Sequence, residues 1–483
     1  MEKQQLLADA LSREFIALRA CCKLLSGDVS PEDVLGREKR ITAKTAALTA
    51  YLAHAPYSSA KAAAAALDMD RDEIILGYKL IQRTRAAADK IRLSVNGDYL
   101  NIVRHYFSGR MFVVVFFTGL ACPGRCWFCP NVTVRPDGSR QLSLYGGSRI
   151  DQMSSVQIES VFRDIVKITR QDTSVLVKIS GGLEPLTDPD TMAVILNQAD
   201  ALGIRVKLFT NGMLLNTPQR RRLALRAGDV RVSLSMVDED AYGEVMFGND
   251  TARRTQYGLP VLLENLRCLV TERNRLGTRT RIGINTVVLE ENYRDLARFV
   301  HLAEELGLDY IDFKPNYFST YTTQTLKELS ARKESITALG SKGIGIYFAG
   351  SLSGDNMFWR HRNGECNPHK QSRFKMFITP SGDCSPVHHG AFPRGRETSD
   401  TGAGPYTIGR ISGDASLLDL IRNMPCLPGL PYEKLNPFEH MLALEIEREE
   451  QDRAWGIPDT CNPYHFSKGN ILPREILESP LLH

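Results

Sequence analysis

Cys122, Cys126 and Cys129 stand within one short stretch, GLACPGRCWFCPN (Gly119–Asn131), in the spacing CxxxCxxC. Thiolates are soft ligands suited to zinc or to iron–sulfur clusters. Pro123 and Gly124 let the loop fold back, so that the three sulfurs can converge on one point. A structural zinc site draws four protein ligands, commonly from a second matching knuckle, and the sequence holds no second CxxC. Three cysteines around a four-iron cluster would leave one iron open to a small molecule. The spacing therefore points to iron–sulfur chemistry, with free thiols in a loop as the ordinary alternative.

Such a loop needs a rigid element in front of it and others around it. MFVVVFF (Met111–Phe117), almost wholly apolar, leads into the cysteines and reads as a buried strand. Further strand candidates are Val175–Gly182, Ile204–Gly212, Val230–Val237, Arg281–Leu289 and Tyr310–Asn316, with KGIGIYFAG as a seventh. Amphipathic stretches separate them, which is the βα rhythm of a parallel sheet. In NTPQRRRLALRAGD, Thr217 is placed to cap a helix, Pro218 suits its first turn and Gly228 its exit. In YRDLARFVHLAEELG, Leu296, Phe299, Val300 and Ala303 make one apolar stripe. The expected fold is α/β: a partial (β/α)6 barrel over 109–330, preceded by a helical domain over 1–108 and followed by a small α+β extension over 331–483. In the helical domain, SSAKAAAAALDMDRDEIILGYKLIQ resembles a helix-turn-helix, with Ser58 or Ser59 and Asp70 as caps.

Ligands of such barrels bind at the C-terminal ends of the strands. There the sequence places the thiols, then Gly181, Gly182 and Glu184 in SGGLEP, Asn211 in TNG, Ser233 and Ser235, Asn285, and Lys314 with Tyr317 just beyond. A parallel strand covered on both faces is normally apolar throughout, so polar groups gathered at one end predict a ligand. Taken singly, each has a plain structural explanation. SGG suits a tight turn, the serines a strand edge, Asn285 a cap, and Lys314 a lysine reaching to solvent. Lys207, in the third strand, competes with Lys314 as an acid–base group.

Bulk properties narrow the classes. The chain has 483 residues, 43% hydrophobic and 24% charged, the composition of an ordinary globular protein. A net charge of +4 gives no sign of nucleic acid or anionic membrane as a partner. No apolar run approaches the roughly 18 residues of a membrane span, and MEKQQLLADALSREF lacks the apolar core of a signal peptide. Ten cysteines in this length are too few for a disulfide scaffold, so a cytoplasmic protein is expected.

CPGRCWFC, with Phe128 before the last cysteine, resembles the signature of the radical S-adenosylmethionine (SAM) superfamily, and the similarity runs through residues 109 to 320. SGGLEP is similar to that family's GGEP motif, with Leu183 inserted before Glu184. The resemblance implies a [4Fe-4S] cluster on Cys122, Cys126 and Cys129, with SAM on its open iron. It implies that Phe128, Asn211 and Asn285 line the cofactor, and that the backbone at Gly181 and Gly182 and the Glu184 carboxylate hold the methionine amino group. Ser233 and Ser235 would meet the ribose or carboxylate. Reductive cleavage of SAM would yield a 5′-deoxyadenosyl radical that abstracts hydrogen from substrate, with a flavodoxin or ferredoxin type electron donor.

Within that superfamily, SGGLEPLT, VRVSLSMVDEDAY, SGDCSPVHHGAFP and the helical N-terminal region resemble ammonia-lyases acting on a dTDP-4-amino-4,6-dideoxy sugar. This implies a nucleotide-sugar substrate in antibiotic or other natural-product biosynthesis, with Lys314 and Tyr317 near it. Deamination, dehydration, dehydrogenation and epimerisation are all open outcomes, and a homodimer is compatible. GECNPHKQSRFKMFITPSGDCSPVHHGAF resembles a SPASM or twitch extension, in which Cys366 and Cys384 would hold a second iron–sulfur cluster. Five positions after Gly382, however, stands Val387 and not the cysteine of that pattern. The alternatives are a peptide-modifying radical SAM enzyme with an auxiliary cluster, and a non-enzymatic iron–sulfur regulator that binds nucleic acid.

Overall fold

Residues 111–116 carry apolar side chains on both faces, and they form a strand with neighbours on both sides. The structure, a computed structural model, describes residues 59–71, 111–142 without 130 and 136, 151–169, 174–316, 321–340, 343–348, 375–388 and 406–431, with scattered positions elsewhere. The chain divides into two units, Met1–Leu100 with Leu442–Ile471, and Asn101–Met441 with Leu472–His483. In the first, α1 (Ala60–Leu67) starts at Ser59, whose hydroxyl accepts from Ala62 N at 3.2 Å. Most of the second helix of the expected helix-turn-helix lies outside the described residues.

The second unit opens with β1 (Met111–Phe116), a small hairpin β2 (Val132–Val134) and β3 (Arg140–Leu142), and α2 (Ser155–Ile168). There follow β4 (Ser174–Ile179), α3 (Pro189–Ala201), β5 (Arg205–Thr210), α4 (Pro218–Ala224), β6 (Asp229–Ser233), α5 (Glu239–Phe247), α6 (Thr251–Tyr257) and α7 (Leu259–Leu276). Then come β7 (Arg281–Val288), α8 (Leu296–Glu305), β8 (Tyr310–Pro315), α9 (Thr323–Leu339), β9 (Gly345–Phe348) and β10 (Glu365–Cys366). The last elements are β11 (Lys375–Ile378), β12 (Asp383–Ser385), β13 (Gly409–Arg410), α10 (Leu417–Arg422) and β14 (Leu430–Pro431).

One sheet runs β13-β12-β11-β1-β4-β5-β6-β7-β8-β9, parallel from β11 to β9. The six expected strands are neighbours in their sequence order, and β9 is the seventh. The hairpin at FITPSGD, expected in a separate extension, instead joins this sheet: β11 pairs parallel with β1, Val113 opposite Lys375. Without it β1 would be an apolar edge strand, which folded proteins avoid. A second correction concerns Gly228. The α4 helix begins at Thr217 as expected but ends at Leu225, and Gly228 enters β6, where its N–H donates to Val206 O.

Residues alternate across the sheet. Phe112, Val114 and Phe116, Val177 and Ile179, Val206 and Leu208, and Val230 and Val232 face the helices, where Phe162, Leu196, Leu262 and Phe299 complete one core. The expected α8 stripe of Leu296, Phe299, Val300 and Ala303 is buried in it. The other face turns inward. On a flat sheet β5 and β8 would lie about 14 Å apart, three strand spacings. Lys314 Nζ nevertheless sits 5.9 Å from the Phe209 ring centre, and Arg231 reaches Asp312 at 2.7 Å across β7. The sheet is therefore curled into an open barrel. Among the described residues no helix is long and apolar enough to cross a membrane.

Candidate active site

The cysteine loop leaves β1 and is fastened to the mouth of the barrel on two sides. Gly119 comes so close to the turn after β4 that a Cβ there would fall 2.6 Å from Glu184 O and from Leu183 C. Glu184 N donates to Ala121 O at 2.9 Å, Asn131 Nδ2 to Gly182 O at 2.6 Å, and Leu120 N to Thr187 Oγ1 at 3.3 Å. On the other side Arg125 N donates to Met246 O and Arg253 Nη1 to Pro123 O. Arg125 Nη1 closes the turn on Cys122 O and Gly124 O, at 2.6 and 2.8 Å. Most of the loop's shape is thus held by backbone carbonyls, while Cys126 Sγ lies 3.5 Å from Met246 Sδ.

The sulfurs of Cys122 and Cys126 gather against Gly124, where a Cβ would lie 3.6 and 3.5 Å from them. Burial pushes the Cys122 thiol up to about 12, with Glu184 and Cys129 adding to the effect, and Cys126 is raised for the same first reason. A bound cation reverses that preference, because a coordinating thiol is deprotonated outright. Among the described residues no three His, Cys, Asp or Glu side chains are grouped closely enough to hold a metal ion. The loop carries three thiols, soft donors of the type that suits an iron–sulfur cluster. Phe128 is half-buried against the core, edge-on to Trp127 at 5.9 Å.

The turn after β4 takes its shape from Gly181 and Gly182, with φ of 68° and 62°, in the left-handed region that side chains disfavour. At Gly181 a Cβ would meet the Phe117 ring at 2.1 Å. Glu184 follows, 2% exposed. Its carboxylate accepts from Leu186 N at 3.2 Å, Thr210 Oγ1 at 2.6 Å and Asn211 N at 2.7 Å. A carboxylate has about four acceptor positions, so Glu184 already spends most of them tying the β4 turn to the β5 turn. Burial raises its pKa to about 6 against the pull of those hydrogen bonds. Asn211 stands between carboxylate and thiol: its Nδ2 is 3.4 Å from Cys122 Sγ, and its Oδ1 accepts from Met213 N.

Ser233 and Asn285 lie opposite each other in the β6–β7 register, and Ser235 is buried just beyond the end of β6. Asn285 Oδ1 and Thr118 Oγ1 are buried without a hydrogen-bond partner among the described residues, as expected of groups lining a ligand site. Lys314 is only 17% exposed and pairs with Asp312 at 3.6 Å, so it does not reach out to solvent. Tyr317 lies outside the described residues. Lys207 is buried and 4.0 Å from Asp229 Oδ2, deeper in the barrel. Cys384 is packed in the apolar core, and burial pushes its thiol well up. Cys366 lies in β10, opposite Leu430. His388 packs edge-on against Phe117 and Phe377, and His389 lies outside the described residues. A cleft of about 500 Å³ beside the cysteine loop is lined by Trp127, Arg140, Ala241, Glu244, Val245 and Glu291.

Several residues escaped the reading of the sequence. Asn131, Thr187 and Thr210 hold the loops together, and Asp229, Arg231, Tyr310 and Asp312 form a buried network inside the barrel, in which Tyr310 OH donates to Asp229 and Arg231 to Asp312. Their signal was present in DVRVS and YIDFKP, where charges fall on alternate positions of otherwise apolar strands.

No protein-family model matches the chain. It is 22% identical over 371 residues to the dTDP-4-amino-4,6-dideoxy-D-glucose ammonia-lyase of Streptomyces venezuelae, a match covering 71% of each chain. Among solved structures it is similar to Streptococcus suis SuiB bound to S-adenosylmethionine, at 14% identity and a TM-score of 0.44, covering 72% of this chain and 70% of that one. It is also similar to native anSMEcpe with bound AdoMet, at 12% identity and a TM-score of 0.43, covering 71% and 96%.

Proposed function

We propose that this protein is a radical SAM enzyme that acts on a nucleotide sugar. The observation that carries this reading is the convergence at one barrel mouth of the CxxxCxxC loop, the SGGLEP turn and the TNG turn, laced together by Glu184, Asn131 and Thr187. When bound, a four-iron cluster and SAM would supply a 5′-deoxyadenosyl radical able to remove a hydrogen atom from substrate. Cys122, Cys126 and Cys129 would hold the cluster. Ser233, Ser235, Asn285 and the backbone at Gly181 and Gly182 would bind and orient SAM. Glu184 would act mainly by fixing those turns, with its remaining lone pair toward the methionine ammonium.

Loss of ammonia or water from a sugar carbon needs a proton moved near that carbon. Lys314 suits this: burial, then the Arg231 charge, brings its pKa down to about 7 against the pull of Asp312. Asp312 Oδ1, buried without a hydrogen-bond partner among the described residues, offers an acceptor beside it. The nucleotide-sugar assignment draws on the likeness to the Streptomyces venezuelae dTDP-4-amino-4,6-dideoxy-D-glucose ammonia-lyase. The test is to incubate anaerobically reconstituted, reduced protein with SAM, nucleotide sugars including a dTDP-amino sugar, and peptides. Formation of 5′-deoxyadenosine that depends on a nucleotide sugar is expected. Dependence on a peptide alone would contradict the substrate assignment.

A further inference from the structure

The inner face of the barrel carries more positive charge than hydrogen transfer requires. Lys178 on β4, Lys207 on β5, Arg231 on β6, Lys314 on β8 and Lys375 on β11 all lie there, against Asp229 and Asp312. Arg231 and Lys314 share Asp312, and Lys207 faces Asp229. Lys178 differs. It is 8% exposed, and the two inward carboxylates pair with other cations, Asp229 with Lys207 and Asp312 with Arg231 and Lys314. Its neighbours in register are Val115 on one side and Lys207 on the other. Val177 and Ile179, the residues flanking it, belong to the outer core, so Lys178 points inward. After burial itself, the groups that act most on its ionisation are Lys207, Lys314, Lys375 and Arg231, all of like charge. They sit on four different strands, which only an interior position can face together.

A buried ammonium without a counter-charge is costly, and a fold keeps one where a ligand supplies the missing charge. We propose that Lys178 is the anchor of an anion subsite inside the barrel, completed by Lys207 and Lys375, that takes the phosphate groups of the substrate. The subsite rests on the proposed function only in assigning the anion to the substrate. A diphosphate fits the chemistry: it is charged at every working pH and offers acceptors to several lysines at once. Its place would hold the nucleotide end of the substrate inside the barrel and present the sugar toward the cysteine loop.

Ligand binding should then recharge the lysines. Among the described residues, the charged and titratable groups at inward positions of the barrel strands are Arg205 and Lys207 on β5, Asp229 and Arg231 on β6, Arg281 on β7, Tyr310, Asp312 and Lys314 on β8, Tyr347 on β9 and Lys375 on β11, while β1 presents Val113 and Val115. An anion favours the protonated amines, so binding takes up protons and affinity falls as pH rises above neutrality.

Isothermal titration on the reconstituted, unreduced holoenzyme tests this without turnover, with dTDP-glucose, inorganic pyrophosphate, thymidine and SAM as probes. Lys178→Met should bind dTDP-glucose and pyrophosphate roughly 10- to 100-fold more weakly than the wild type. Its SAM affinity should be unchanged and its proton uptake reduced, and Lys178→Arg should restore most of the binding. The methionine variant should also melt at a higher temperature, which separates lost binding from misfolding. Pyrophosphate binding that depends on Lys178, without dTDP-glucose binding, would keep the subsite and remove the nucleotide-sugar reading. Unchanged dTDP-glucose and pyrophosphate affinity in Lys178→Met would overturn the proposal, as would a matching loss of SAM affinity.

Discussion

Single residues in this barrel answer to burial before anything else. Glu184 is a buried carboxylate with three donors around it. Glu184→Gln places an amide N–H₂ against one of those donors, which should cost about 1–3 kcal/mol of stability and weaken SAM binding about tenfold or more, while the cluster remains. Thermal melts and SAM titration would check it, and unchanged values in both would remove Glu184 from the site. Burial lowers Lys207 to about 8 and Lys314 to about 7, against about 10.4 for a lysine in the unfolded chain. Between those values the unfolded chain binds more protons, so stability should rise as pH goes from about 7 to 9. Lys314→Met should flatten that rise in urea titrations. It should also keep SAM binding and slow uncoupled SAM cleavage yet lose most substrate turnover, and full turnover would return the acid–base role to another group. The cysteines were legible in the sequence because their spacing is local. Thr210 and Asn211, which fix Glu184, lie more than twenty residues beyond it, and no local pattern announces that contact. Lys178 lies away from the strand ends where ligands gather, although VLVKI, like RVKLF, places a charge inside an apolar run.

Elements position the site through two turns and one pairing. The turn after β4 works only because Gly181 adopts a left-handed conformation against the Phe117 ring. Gly181→Ala should therefore cost more than backbone strain alone, and it should disturb SAM binding as well as stability. Gly203→Ala is the matched control: its φ is 64°, but a Cβ there meets nothing within 4 Å. Strain of about 1–2 kcal/mol is expected at Gly203, with a larger loss at Gly181, compared by chemical denaturation. Equal losses at the two positions would contradict the packing described. The order β1-β4-β5-β6-β7-β8 was readable from alternating apolar runs and amphipathic helices, since each strand pairs with the next one of the main sheet along the chain. The parallel pairing of β11 with β1 was not. The segment KMFI reads as half of a hairpin, and its second partner stands far away in the chain, chosen by the need to cover an apolar edge.

At the scale of the whole molecule, the barrel unit joins a soft-metal loop at its mouth to a cationic interior, and the proposed chemistry requires both. Strands β11, β12 and β13, which belong to the expected extension over 331–483, extend the barrel sheet. That pairing depends on sheet geometry, which composition and motif spacing do not express. The central claim is that Cys122, Cys126 and Cys129 hold a cluster with an iron open to SAM. Electron paramagnetic resonance on the reconstituted, reduced protein, with and without SAM, tests it most directly. The account predicts a reduced four-iron signal that changes on adding SAM and is absent when all three cysteines are replaced by alanine. An unchanged signal in that triple variant, or one that SAM does not alter in the wild type, would contradict it.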